Sequence, residues 1–190
     1  MNKNNENIRI LIVDDNKDLR EIIEEYLKDG GDVTEGADNG KDALQKHNRN
    51  PYDLIITDLN MPELTGIELM KTIRKDTDMT EFIIITGYAS IDSAVEAIKI
   101  GAYDYIVKPF RMEELKVVVK NARDKIKLKK INTQLFERLK SFYNEIERYS
   151  QQTGDTETIS LEEENLNNTE RLVNEIRNLE TLRRSRLFID

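Results

Sequence analysis

The feature that most constrains this chain is a set of short, β-branched apolar runs, each followed at once by a polar residue. The runs at residues 8–13, 52–57, 81–85 and 102–107 lead into Asp14-Asp15, Asp58, Thr86 and Lys108, in that order. Amphipathic helical stretches separate the runs, a pattern typical of the strands of a parallel sheet. Because functional groups gather outside the carboxyl ends of such strands, we expect these side chains to meet at one edge.

The spacing of the segments predicts the topology. Strands are expected at residues 8–13, 32–37, 52–57, 81–86 and 102–107. Helices are expected at about 17–28, 40–49, 65–75, 91–99 and from 111 onward. The second run alternates between polar and apolar residues, as suits an edge strand. With right-handed crossovers, the pattern predicts an α/β, flavodoxin-like doubly wound sheet of five parallel strands in the order 2-1-3-4-5, followed by a C-terminal helical extension.

The acidic residues at the predicted sheet edge need a counter-charge. Asp14, Asp15 and Asp58 would repel one another unless a cation lay among them. A hard divalent ion such as Mg²⁺, held by oxygen atoms, is the natural solution. Mg²⁺ is therefore the expected cofactor.

Several motifs surround these residues in a fixed order. They are the pair Asp14-Asp15, the segment 58–66 (DLNMPELTG), the segment 83–87 (IIITG), and Lys108-Pro-Phe110 with Tyr105 three residues before the lysine. With these motifs the chain resembles the receiver domain of two-component response regulators over about residues 6–125. Gly87 is a mild departure from the family pattern, in which alanine is more usual, and it does not touch the chemistry.

The resemblance implies a phosphoacceptor and a metal site. Asp58 would accept the phosphoryl group from a histidine kinase or a phosphotransfer protein. Asp15 and Asp58 would bind Mg²⁺ directly together with the backbone carbonyl of Asn60, and Asp14 would act largely through water. The chemistry agrees, since a carboxylate is a nucleophile of the kind that forms aspartyl phosphates.

The resemblance also assigns roles to three residues near the ends of the last two strands. Thr86 would donate a hydrogen bond to one phosphoryl oxygen, and Lys108 would pair with another. Such charge neutralisation is what phosphoryl transfer requires. Tyr105 would be the aromatic side chain that turns inward on activation, and the Lys108-Pro109 bond is expected to be cis.

The C-terminal third of the chain predicts helices that need a partner. We expect a disordered N-terminus at 1–7, a receiver domain at 8–125, an extended coiled-coil-like helix at 126–150, a linker at 151–159 and a final helix at 160–190. After Ile126 the apolar positions shift register to Leu128, Ile131, Leu135, Leu139, Phe142, Ile146 and Tyr149. This stripe must be buried against the final helix, a second copy, a partner or the chain's own domain.

Composition excludes several classes of protein. Residues 1–110 carry 13 basic and 22 acidic residues, which argues against nucleic-acid binding by this part. There is no cysteine, no stretch of about 20 apolar residues that would suit a membrane, and no signal-peptide pattern, so a cytoplasmic protein is the default. The tail shows no helix-turn-helix, so no DNA-binding domain is expected.

Three weaker signals also give expectations. The basic stretch 116–130 is interpreted as a solvated helical face, because no aromatic residues interleave with it. His47, the only histidine, is expected at the surface of the second helix. Tyr103 is expected on the same side of the sheet as Tyr105, because the two alternate with Asp104.

Three functions compete for this sequence. The first is a phosphorylation-dependent switch that signals through the fourth helix, fifth strand and fifth helix, and through dimerisation or partner binding by the tail. The second is a constitutive coiled-coil scaffold whose receiver fold is incidental. The third is a phosphatase with an aspartyl nucleophile, although such enzymes usually need an acid–base aspartate where this chain has Asn60. We therefore expect no enzyme activity beyond phosphorylation and dephosphorylation at Asp58 itself.

Overall fold

The structure is a computed structural model that describes residues 7–28, 31–77 and 79–153 of the 190-residue chain. The chain divides into two units, Met1–Thr133 and Gln134–Asp190. The disordered segment predicted at 1–7 lies outside the described residues except for Asn7. The same holds for the linker beyond Thr153 and for the helix predicted at 160–190, which therefore stay predictions.

A five-stranded parallel sheet forms the centre of the first unit. The strands are β1 (Arg9–Val13), β2 (Val33–Ala37), β3 (Leu54–Thr57), β4 (Glu81–Thr86) and β5 (Asp104–Val107). They lie in the order β2-β1-β3-β4-β5, with every neighbouring pair parallel. The predicted topology is confirmed, and the alternating second strand is an edge strand, as expected.

Five helices follow the strands in alternation. They are α1 (Lys17–Lys28), α2 (Gly40–Arg49), α3 (Gly66–Asp76), α4 (Ile91–Ile100) and α5 (Met112–Thr153). Thr65 and Glu68 form a reciprocal capping box at the start of α3. Gly101 ends α4 in a left-handed conformation with φ 95°, which glycine adopts without strain.

The central strands β1, β3 and β4 are buried on both faces, which is why they are largely apolar. Alternate residues of the central strands point to opposite faces. One face packs against α1 and the first turns of α5, around Ile10, Ile12 and Ile56. The other packs against α2, α3 and α4, around Leu11 and Ile55. The result is a three-layer sandwich in which buried Asp14, Asp58 and Thr86 lie at the carboxyl ends of strands.

Helix α5 buries its apolar residues only in its first part. Its first turns bury an apolar row at three- and four-residue spacing, made of Leu115, Val119, Ala122 and Ile126. After Ile126 the apolar side chains are exposed, and they are Leu128, Ile131, Leu135, Phe136, Leu139 and Phe142. The predicted register shift is therefore visible as a change from buried to exposed. The helix also includes Gln151, Gln152 and Thr153, the first residues of the stretch predicted as a linker.

The basic stretch on α5 is a solvated face only in part, because Lys116 and Lys120 are exposed but four other basic residues are ion-paired. Its side chains pair with three carboxylates at the amino ends of the strands, and we call this group the amino-edge cluster. The pairs are Arg123 with Asp32, Lys130 with Asp53, and Lys125 and Lys129 with Glu81. Glu81 is only 2% exposed, and Asp32 also accepts a hydrogen bond from the backbone N–H of Ile8. The basic residues thus neutralise buried acids.

Two further expectations were wrong. His47 is buried, because it lies on the inner face of α2 with Gly40 and Ala43. Its Nδ1 accepts a hydrogen bond from the backbone N–H of Tyr52 at 3.3 Å. Tyr103 packs with the α1/α5 core and Tyr105 with the opposite core. Strand β5 begins only at Asp104, so strand alternation does not extend to Tyr103.

Candidate functional site

Three side chains meet where strands β1, β3 and β5 end. Asp14 follows β1, Asp58 follows β3 and Lys108 follows β5. The Lys108 Nζ donates to Asp14 Oδ2 and to Asp58 Oδ2, each at 2.6 Å. The Lys108-Pro109 peptide bond is cis, as expected. We call Asp14, Asp58 and Lys108 the carboxyl-edge triad.

The backbone fixes both acids of the triad. The Asp58 N–H donates to the carbonyl of Val13 at 2.9 Å, so the end of β3 is tied to the end of β1. The Asn60 N–H donates to Asp58 Oδ1 at 3.1 Å, and the Asn16 N–H donates to Asp14 Oδ1 at 2.9 Å. Each carboxylate therefore has one oxygen held by the loop that follows it and one held by Lys108.

Burial and charge act in opposite directions on Lys108. Burial is the largest single influence and lowers its pKa, because a charged ammonium loses solvent. The hydrogen bonds and negative charges of Asp14 and Asp58 together outweigh burial, so the pKa of Lys108 is raised above its ordinary value. The ammonium is therefore charged at neutral pH, and it supplies the counter-charge that the two acids require.

A close backbone approach leaves room only for glycine beside Asp58. A Cβ atom at Gly66 would lie 2.2 Å from the Asp58 carbonyl oxygen. The Thr57 hydroxyl donates to the same carbonyl at 2.9 Å. The first residue of α3 thus packs directly against the backbone carbonyl of the candidate phosphoacceptor, and its N–H donates to the next carbonyl, that of Leu59, at 3.1 Å.

Of the other predicted site residues, Asn60 and Thr86 contact the triad through their backbones, Asn60 by its N–H to Asp58 and Thr86 by its carbonyl, which accepts from the Lys108 N–H at 2.8 Å. Thr86 is fully buried at the end of β4, where its hydroxyl accepts from the Tyr88 N–H at 3.2 Å. Asp15 and Asn60 are exposed beside the triad. The Tyr105 hydroxyl lies 3.0 Å from the Ser93 hydroxyl on α4. The strand ends thus bring Thr86, Asp15 and Asn60 to the same edge, and no side chain of the three is bonded to the Lys108 ammonium among the described contacts.

Sequence reasoning missed one residue near the site, Arg20. Its side chain is buried, and its guanidinium donates to the backbone carbonyl of Asp14 and to Asp38. The available signal was its position six residues after Asp14, on the apolar side of an otherwise charged helix with Ile23 and Leu27. A buried arginine is rare unless it is paired.

The donor atoms at this edge suit a hard cation, although they are not gathered around one point. Within residues 7–28, 31–77 and 79–153, no three acidic, histidine or cysteine side chains are grouped so that they could hold a metal ion. The chemistry of the donors still fits Mg²⁺, since all are carboxylate or carbonyl oxygens.

Of the helices that the structure describes, none is long and apolar enough to cross a membrane.

Known proteins share the sequence and fold of this domain. The family model of the response regulator receiver domain matches residues 10–120. The chain is 38% identical over 122 residues to the regulatory protein AtoC of Escherichia coli, covering 64% of this chain and 26% of AtoC. It is 40% identical over 115 residues to the chemotaxis protein CheY-3 of Vibrio cholerae, covering 59% of this chain and 88% of CheY-3.

A solved structure agrees with the sequence matches. The signal receiver domain of a putative Luxo repressor protein from Vibrio parahaemolyticus superposes with a TM-score of 0.63 at 32% identity, covering 66% of this chain and 96% of that domain. The chain therefore belongs to the response regulator receiver domain family, whose members act in two-component signalling. It spans about a quarter of the length of AtoC.

Proposed function

We propose that this protein is a phosphorylation-dependent switch in which Asp58 accepts a phosphoryl group from a phosphohistidine on a kinase or phosphotransfer protein. The observation that carries the proposal is the carboxyl-edge triad. Asp58 is only 8% exposed, yet it ends a central strand at the sheet edge with Lys108 Nζ 2.6 Å from its Oδ2. A buried carboxylate held beside a charged lysine is oriented for nucleophilic attack.

In the proposed reaction, an Asp58 carboxylate oxygen forms a bond to phosphorus as the bond from phosphorus to the donor imidazole nitrogen breaks. The electron pair of the broken bond leaves with the imidazole. Lys108 follows the negative charge from the carboxylate to a phosphoryl oxygen, since its ammonium already lies beside Asp58. Thr86 would donate its hydroxyl to another phosphoryl oxygen after releasing the Tyr88 N–H.

Asp14, Asp15, Asp58 and the backbone carbonyl of Asn60 would hold Mg²⁺ at this edge. The ion, when bound, supplies positive charge that neutralises the phosphoryl oxygens. Asp14 and Asp58 share Lys108 as a single counter-charge, so two acids have one positive charge between them and the ion would supply more. Catalysis is confined to the protein's own Asp58 in this proposal, and the chain is a signalling protein and not an enzyme acting on a separate substrate.

The proposed output is self-association through α5. Its exposed stripe combines Leu128, Ile131, Leu135, Leu139 and Phe142, with exposed fractions of 50–62%. Their spacing of three and four residues is that of a coiled-coil seam with one extra four-residue step. A second copy of the same helix presents the same stripe, so a homodimer buries it without a further partner.

Phosphorylation at Asp58 is tested by intact-protein mass spectrometry after incubation with acetyl phosphate and Mg²⁺. We expect one added phosphoryl group in the wild type and in Asp124→Asn, which removes an exposed acid on α5. We expect none in Asp58→Asn, because the amide is not a nucleophile for this reaction. Phosphorylation of Asp58→Asn to the wild-type level would contradict the assignment.

The scaffold alternative is supported by the same exposed stripe, and light scattering separates the two. A switch predicts that beryllium fluoride with Mg²⁺ changes the solution mass of the wild type but not of Asp58→Asn. A constitutive scaffold predicts a dimer in every condition. Leu135→Glu should abolish the dimer in either case, whereas Gln134→Glu, a neighbour outside the stripe, should not.

A further inference from the structure

Arg20 links the two loops that flank the carboxyl-edge triad. It lies in the first turn of α1 and is 8% exposed. One guanidinium nitrogen donates to the backbone carbonyl of Asp14, and another donates to the Asp38 carboxylate in the loop after β2. Asp38 itself is largely exposed, with 74% of its side chain open to solvent. The guanidinium is therefore a bridge from a buried carbonyl to a surface acid.

The neighbouring strand is shaped to admit this side chain. A Cβ atom at Gly36 of β2 would lie 2.4 Å from Glu24 Oε1 and 3.5 Å from Arg20 Nε. The missing side chain at Gly36 thus leaves space for two polar side chains of α1 over an edge strand. A glycine weakens a strand interior, so its presence here fits a packing requirement.

We propose that Arg20 is a positioning residue for the cation site: it fixes the backbone of Asp14 and, through it, the direction of the Asp14 and Asp15 side chains. The proposal rests on the proposed function, since it takes the Asp14-Asp15 loop to be the loop that holds Mg²⁺. Asp14 has its N–H bonded to Ala37, one carboxylate oxygen bonded to Asn16 and its carbonyl bonded to Arg20. Two charged side chains contact Asp14 in the part of the chain that the structure describes: Lys108 holds its carboxylate, whereas Arg20 holds its backbone carbonyl.

The positive charge of Arg20 makes the direction of the change in Mg²⁺ affinity informative. Two positive charges repel, so removal of Arg20 would strengthen Mg²⁺ binding if only Coulomb forces acted. Loss of a positioning contact acts the other way, because groups that orient metal ligands typically contribute about 10–100-fold to metal affinity. A weakened affinity in a variant that has lost a nearby positive charge therefore reports positioning.

The experiment is a calorimetric Mg²⁺ titration of the full chain at constant salt, with thermal unfolding measured alongside. We expect Arg20→Met to weaken Mg²⁺ binding by about tenfold or more. The control is Lys17→Met, which removes a charge from the same helix at a side chain that is 74% exposed and paired only along the helix with Glu21. We expect the control to bind Mg²⁺ as tightly as the wild type or slightly more tightly.

Arg20→Lys keeps the positive charge. If Arg20→Met does not fold, Arg20→Lys is the variant that tests the positioning role. A lysine ammonium cannot reproduce the planar fork that reaches two acceptors at once, so we expect weakened binding here also. Wild-type affinity in Arg20→Lys, or unchanged or tighter binding in Arg20→Met, would overturn the role of Arg20 alone. Absence of Mg²⁺ binding by the wild type would overturn the cation site of the proposed function together with this inference.

Discussion

The Tyr105 hydroxyl lies 3.0 Å from the Ser93 hydroxyl, and the same Ser93 hydroxyl completes the cap of α4. Ser93 Oγ has three further neighbours in Ser90, namely its N–H at 3.1 Å, its hydroxyl at 2.9 Å and its carbonyl at 3.0 Å. A hydroxyl donates one hydrogen bond and accepts two, so these four contacts cannot all be satisfied together. Tyr105 and the helix cap therefore compete for Ser93.

This competition predicts unequal effects of substitution. Ser93→Ala should destabilise the protein by about 1 kcal/mol, as loss of a cap does, and should speed hydrogen exchange in the first turn of α4. Tyr105→Phe should leave that exchange unchanged or slower, since it frees Ser93 for the cap. Faster exchange in Tyr105→Phe than in the wild type would show that the tyrosine supports the cap.

The two glycines near the triad should respond oppositely to alanine. At Gly87 a Cβ atom would meet only Lys108 Cβ at 3.9 Å, which is ordinary contact. Gly87→Ala should therefore stabilise the fold by about 0.4–1 kcal/mol through the unfolded chain. Gly66→Ala should destabilise it by at least ~1–3 kcal/mol, because its Cβ would overlap the Asp58 carbonyl at 2.2 Å. Urea unfolding of both variants checks the prediction, and destabilisation by Gly87→Ala would contradict it.

The buried His47 should make stability depend on pH in mildly acidic solution. Burial lowers its pKa from the ordinary 6.5, so the unfolded chain takes up a proton at a higher pH than the folded chain. The free energy of unfolding should thus fall as pH drops through 6.5 toward the lowered folded pKa. His47 is the only histidine, so His47→Gln should remove this slope. Equal slopes between pH 7.5 and 5.5 in both proteins would refute the assignment.

The amino-edge cluster should be sensitive to the loss of one partner. Asp32 has a side chain that is 2% exposed, and Arg123→Met would leave it without its ion pair. We expect a loss of ~3 kcal/mol in the free energy of unfolding, because an uncompensated buried charge is strongly unfavourable. Lys120→Met, on an exposed position of the same helix, should have little effect. Adding Asp32→Asn to Arg123→Met should recover part of the loss, and full additivity of the two changes would contradict direct coupling.

A structural feature can be predicted from the sequence when a local pattern or a general rule of the fold determines it. A feature that depends on contacts between residues far apart in the sequence cannot be predicted in this way. The meeting of Asp14, Asp58 and Lys108 follows from the rule that parallel strands end at one edge, so it was predictable. The partners of the basic residues on α5 come from three separate strands, and no local pattern shows them. The burial of His47 was predictable in part. Its spacing from Gly40 and Ala43 places it on the buried face of α2, although its polar side chain favours a surface position.

The two ends of the sheet therefore treat acidic residues in different ways. At the amino edge, Asp32, Asp53 and Glu81 receive their cations from the chain itself, so their neutralisation does not require an ion from solution. At the carboxyl edge, Asp14 and Asp58 share the single positive charge of Lys108, so one negative charge has no cation of its own within this triad. Charge added at the carboxyl edge would therefore meet acids that are only partly balanced, whereas each acid at the amino edge already has its own cation.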